Sequence, residues 1–181
     1  MLDPKTLLRH REPSLLKGAV AGLLGGLAAS WVMNQFQAAV PANTFKKLLG
    51  EPTEDTSGSD ESAEPATVKA AEAVSEGVLD HELTKQEKQW AGPAVHYSFG
   101  SSAGLMYGLL AEAKPDLTAG AGLPFGVVFW ATADEAAVPA LGLSEAPWAY
   151  PPSVHVYSLV SHLVFGLAAE AVRRVVRGAL R

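Results

Sequence analysis

Five ionisable side chains stand out because of what surrounds them. His96 lies in an uncharged run from Gln89 to Ala111, Asp134 and Glu135 close another from Leu117 to Ala133, and His155 and His162 lie in a third from Ser153 to Ala169. An ionisable group inside an apolar segment is costly to desolvate, so it persists where it meets a partner, water or a ligand. Imidazoles ordinarily titrate at about pH 6.5 and can exchange protons with carboxylates, which makes proton sensing or proton transfer one available chemistry. Metal binding through nitrogen and oxygen is another, with His96, Glu135 and either His155 or His162 as the candidate set. His155 and His162 cannot share one ion, because seven helical residues separate them by about 10 Å. Neither His-x-x-His nor Glu-x-x-His occurs, so the spacing of carboxylate-bridged metal bundles is missing. The third reading is structural, with these groups cross-linking helices through buried hydrogen bonds and ion pairs.

Other chemistries find less support. The chain has no cysteine, which removes disulfides, zinc ribbons and thiol catalysis. Ser98, Ser101, Ser102, Ser158 and Ser161 are spread along expected helices, with no strand-to-helix turn to present a nucleophile. The sequence points away from an enzyme and specifies no cofactor. A net charge of −5 disfavours nucleic acid as a partner.

The elements that must position the five residues are set by the uncharged runs. Residues 18–40 are apolar, glycine-rich and long enough to cross a bilayer, which takes about 20 residues. Residues 89–111, 117–136 and 153–170 supply three further expected spans. Pro124 would kink or loosen the third. The small residues Ala38-Ala39-Val40-Pro41-Ala42 offer a signal-cleavage alternative for the first run. Asn34, Gln35, Gln37 and the 17-residue leading arm favour a retained helix. The expected fold is all-α, a polytopic membrane protein of four transmembrane helices. An extra-membrane segment of short helices and disordered chain, residues 41–88, joins the first to the second.

Within that segment, Glu51 to Glu64 is rich in Asp, Glu, Ser, Gly and Pro and reads as a flexible surface stretch. Pro65 to Val78 reads as a helix with Pro65 in its first turn. Thr84-Lys85-Gln86-Glu87 is a capping box that opens the helix entering the second span at Trp90.

Charge orients the chain. Overall 48% of residues are hydrophobic and 18% charged, and the mean hydropathy of +0.13 averages apolar runs with one hydrophilic block. The arm at 1–17 has more basic than acidic residues, and the tail at 171–181 carries Arg173, Arg174, Arg177 and Arg181. Residues 41–90 hold five lysines against eleven acidic residues. Four spans put both termini on one side, and the positive-inside rule makes that side cytoplasmic. His96 would then lie about 9 Å below the outer surface, His155 about 3 Å and His162 about 13 Å, at 1.5 Å per residue. Asp134 and Glu135 close the third span in the same leaflet, so the polar groups gather in the outer half of the bundle.

Glycines recur every fourth residue. Gly18, Gly22 and Gly26 form one ridge, Gly100, Gly104 and Gly108 a second, and Gly122 with Gly126 a third. Small residues at this spacing let helix backbones touch, within one chain or between copies, where lipid removes the hydrophobic drive. The expected partners are the lipid bilayer and either a second copy or a larger membrane complex, in which a structural or assembly role is an alternative function.

Ser30-Trp31-Val32-Met33-Asn34, Gly92-Pro93-Ala94-Val95-His96-Tyr97, Phe99-Gly100 and Tyr107-Gly108 resemble the YagU family of bacterial inner-membrane proteins. So do Thr118-Ala119-Gly120, Pro124-Phe125-Gly126, Trp130 with Asp134-Glu135, Pro139 to Leu143, and His155 with His162. The similarity runs over most of residues 15–170. It implies a multi-span inner-membrane protein with a link to survival in acid, and it assigns no catalytic residue.

Overall fold

In the computed structural model of the protein, residues 13–52 and 64–180 are described. Most of the leading arm, Arg181, and residues 53–63 of the stretch expected to be flexible lie outside them. Every regular element among the described residues is helical.

Helix α1 spans Leu15–Ala39 and is capped by Ser14, whose hydroxyl accepts the Lys17 amide. A short α2, Asn43–Leu48, follows, and then α3, Ala66–Leu79, with Pro65 at its N-cap. Helix α4, Lys85–Ala113, opens on a capping box. The Glu87 amide donates to Thr84 Oγ1 at 3.3 Å, and the Thr84 amide donates to the Glu87 carboxylate at 2.8 Å.

The third expected span, 117–136, is corrected at both ends. Residues Pro115–Thr118 form a single tight turn, and helix α5 starts only at Leu123 and runs to Thr132. Gly120, Ala121 and Gly122 all have positive φ, which a right-handed helix does not accommodate. Pro124 therefore sits in the first turn of α5, where a missing N–H is harmless, and it causes no kink. From Ala133 to Ala137 the helix widens into a π turn, closed by Val138 N–H on the Ala133 carbonyl, and α6, Val138–Ala140, continues it. Pro139 cannot donate to the Glu135 carbonyl and its ring crowds it, so a widened turn is the local answer to proline there.

Helix α7, Pro152–Ala179, extends well past the expected end at 170 and carries Arg173, Arg174 and Arg177 of the tail as ordered helix. Its N-terminus is held by Glu51, whose carboxylate accepts the Ser153 amide at 2.9 Å and hydroxyl at 2.5 Å. Glu51, expected in the flexible stretch, is therefore a fixed anchor.

Helices α4, α1, α7 and α5 pack antiparallel in that order. A Cβ on Gly104 would lie 2.5 Å from the Gly22 carbonyl oxygen, and Gly18 meets Gly108 and Gly26 meets Gly100 in the same register. On the other flank of α1, Gly25 approaches the Ala169 carbonyl, and a Cβ there would lie 2.8 Å away. Gly126 of α5 faces Gly166 and the His162 carbonyl of α7. Aromatic rings fill the space between α4, α5 and α7. Tyr107 stacks on Phe125 at 4.3 Å between ring centres, and Phe129 lies 5.2 Å from Phe165 and 5.5 Å from Phe99.

The burial pattern of α1 is inverted relative to a water-soluble helix. Its buried face consists mostly of Gly, Ala and Ser, with Met33 the one large side chain. Leu23, Leu24, Leu27 and Trp31 are exposed, Trp31 by 57%. Among the described residues α1 is the helix long and apolar enough to cross a membrane. The other three expected spans are less uniformly apolar: α4 carries His96, Ser98, Ser101 and Ser102 within 89–111, α5 is interrupted by the π turn, and α7 carries three serines and two histidines within 153–170.

Candidate functional site

His96, Asp134, Glu135, His155 and His162 all line one cavity of about 930 Å³. It lies at the end of the bundle remote from Ser14 and Arg177, beneath α3 and the 141–150 loop. Its floor includes Phe99, Phe129 and Phe165.

Each polar group is placed by a distinct element. The π turn of Ala133–Ala137 turns Asp134 and Glu135 toward α7. Glu135 meets His155, Oε1 to Nδ1, at 2.7 Å. The second nitrogen of His155, Nε2, donates to the Pro147 carbonyl at 3.0 Å. One turn deeper, Asp134 accepts the Ser158 hydroxyl. His162 Nδ1 donates to the Ser158 carbonyl at 3.0 Å and lies 3.7 Å from Asp134 Oδ2. The His162 ring meets Phe129 edge-on at 5.2 Å. His96, on α4, joins neither pair, and its Nε2 is buried without a hydrogen-bond partner among the described residues.

The two acceptors around His155 have a chemical consequence. A carbonyl oxygen can only accept, so Nε2 carries a hydrogen. A carboxylate can only accept as well, so Nδ1 then carries a second one. If Nδ1 is bare, Glu135 itself must be protonated. Either way the His155–Glu135 pair holds one proton more than a neutral imidazole beside a carboxylate.

The metal arrangement expected from His96, Glu135 and His155 does not form. Among the described residues no three His, Asp or Glu groups could hold a common metal ion. Both nitrogens of His155 are committed to oxygen partners, and His96 stands on another helix outside both pairs. The serines offer no alternative. Gly100-Ser101-Ser102-Ala103-Gly104 does match a Gly-x-Ser-x-Gly spacing, but it lies in mid-helix, where the exposed Ser102 hydroxyl bonds the Ser98 carbonyl at 2.8 Å.

A second polar cluster, at the opposite end, was not expected. Glu112 accepts Arg177 Nε at 2.5 Å and the Ser14 amide at 2.9 Å, which ties α4, α7 and the start of α1 together. Glu170, 1% exposed, accepts both Arg173, at 2.6 and 2.9 Å, and Arg174, at 2.5 Å. The Arg177 guanidinium holds the Glu112 carboxyl below the usual carboxylate range, and Glu112 in turn raises Arg177. A tail read only as basic hid this cluster. The signal was present in the spacing, since Glu170, Arg173, Arg174 and Arg177 fall at i, i+3, i+4 and i+7 on one helix face.

No curated protein and no solved structure matches the chain. The model of one family, described as "Protein of unknown function (DUF1440)", matches residues 60–171. That stretch takes in α3 to α6, most of α7 and all five cavity residues. As the match covers more than half of the chain, the protein belongs to the DUF1440 family.

Proposed function

We propose that this protein is a multi-pass membrane protein of the bacterial inner membrane with a proton-linked site in its outer cavity, contributing to tolerance of acid. In this reading α1, α4, the α5–α6 unit and α7 each cross the bilayer, with both termini in the cytoplasm and the cavity facing outward. The inverted burial of α1 supports it, because helices that pack through glycine and alanine while exposing leucine suit lipid better than water. The basic residues at the Arg177 end and the acidic block at the cavity end support the orientation.

One observation carries the proton-linked reading: His155 has an oxygen acceptor at each ring nitrogen, so its pair with Glu135 must hold a proton. The Asp134–His162 contact lies one turn deeper along the same two helices, and His96 lies across the cavity. Protonation from outside would change the charge of the pairs joining α5 to α7 and alter how those helices meet. Replacing Glu135 with Gln or His96 with Ala is expected to abolish acid survival without lowering the amount of protein in the membrane. Normal survival of both variants overturns this function.

A further inference from the structure

We infer that the outer cavity binds a small organic cation, an amine or quaternary ammonium carrying an apolar group, with Asp134 as its counter-charge. The inference rests on the reading of this cavity as proton-linked and names what shares it with the proton. Three features point to that ligand class. The first is size, because about 930 Å³ lies within the range of small-molecule sites.

The second is charge. Among the ionisable groups on the cavity wall, α4 contributes Lys88 and His96, and α7 contributes His155, Tyr157 and His162. The π turn contributes Asp134 and Glu135, and the 141–150 loop contributes Glu145 and Tyr150. Neither α1 nor α3 adds an ionisable group there. Lys88 is answered by Glu64 at 2.8 Å and by Glu72, and Glu135 is answered by the proton it shares with His155. Asp134 has only the Ser158 hydroxyl close by, with His162 at 3.7 Å. Among the described residues Asp134 therefore lacks a permanent positive partner.

The third is the wall beside Asp134. Phe129 contacts His162 and stands between Phe99 and Phe165. Aromatic rings attract an ammonium group through their negative faces and bury its apolar substituent. The unsatisfied Nε2 of His96 is available to an ammonium hydrogen.

Calorimetric titration of the full-length protein in detergent tests this cation site with benzyltrimethylammonium, whose charge does not change with pH, and with benzoate as the anionic counterpart. The expected result is saturable binding of benzyltrimethylammonium and no binding of benzoate. Asp134→Asn and Phe129→Leu should each weaken binding about tenfold, with helicity retained. Equal binding of benzoate, absence of benzyltrimethylammonium binding, or undiminished affinity in both variants overturns the cation site. None of these outcomes bears on the acid survival of Glu135→Gln cells, which tests the proton-linked reading separately.

Discussion

Glu112, at the end of α4, is gripped by Arg177 of α7 through both carboxylate oxygens, at 2.5 and 3.1 Å, with both side chains under 10% exposed. The two residues are 65 positions apart, so this pair closes one end of the bundle. Breaking one side of a buried pair leaves a charge without compensation and typically costs about 3–5 kcal/mol. Glu112→Gln should therefore lower the thermal midpoint of the detergent-solubilised protein by several degrees. An unchanged midpoint would show that the pair is dispensable.

The same pair predicts an acid-side loss of stability. Arg177 holds the Glu112 carboxyl below its ordinary value of 4.5, so the folded protein binds this proton less tightly than the unfolded chain. The contribution is fully present above the unfolded-chain value and is lost as the pH falls through the lower folded value. Wild-type stability should decline below about pH 4.5, while Glu112→Gln lacks this component. Parallel pH profiles for the two proteins would refute the assignment.

Glycines in this chain divide by what a methyl group would meet. At Gly104 a Cβ would enter the backbone of Gly22 and Gly26, within 2.6 Å of three atoms, whereas at Gly77 on α3 nothing lies within 4 Å. Gly104→Ala should destabilise by about 1–3 kcal/mol through forced separation of α1 and α4. Gly77→Ala should stabilise by up to about 1 kcal/mol, since alanine is the better helix former. Unfolding midpoints of the two variants should move in opposite directions.

Topology is open to direct measurement. Reporter fusions at residue 181 should report the cytoplasm, and reporters inserted between Gly50 and Pro65 should report the outside. A cytoplasmic signal at both positions would contradict four crossings, because α4, the α5–α6 unit and α7 lie between them and three crossings must change sides.

Much of the architecture was legible because uncharged runs and glycine spacing are local signals. The capping box at Thr84 and Glu87 and the apolar stretch of α1 follow from a few adjacent residues. The boundary of α5 was not legible, since it depends on three consecutive positive-φ residues, one of them Ala121. Pro139 gave no sign that it would be met by a widened turn, which in turn determines where Asp134 and Glu135 point. Of the site, the five cavity residues could be named from their apolar surroundings, but their pairing could not. Whether His155 meets Glu135 or Asp134 depends on the register of α5 against α7, fixed by Gly126 and Gly166 touching. Gly25 and Gly166 escaped the four-residue pattern because each pairs with a surface outside its own ridge. The Glu112–Arg177 and Glu51–Ser153 links join residues 65 and 102 positions apart, a separation that no local pattern encodes.

The central claim is that the His155–Glu135 pair holds a proton, and nitrogen-15 NMR of the histidine ring in the full-length protein tests it most directly. Below the titration both ring nitrogens of His155 should carry hydrogen, and one should become bare in a single step as the pH rises. In Glu135→Gln, which has no carboxylate to share that proton, the step should move by about one pH unit or more. A step at the same pH in both proteins would contradict the account.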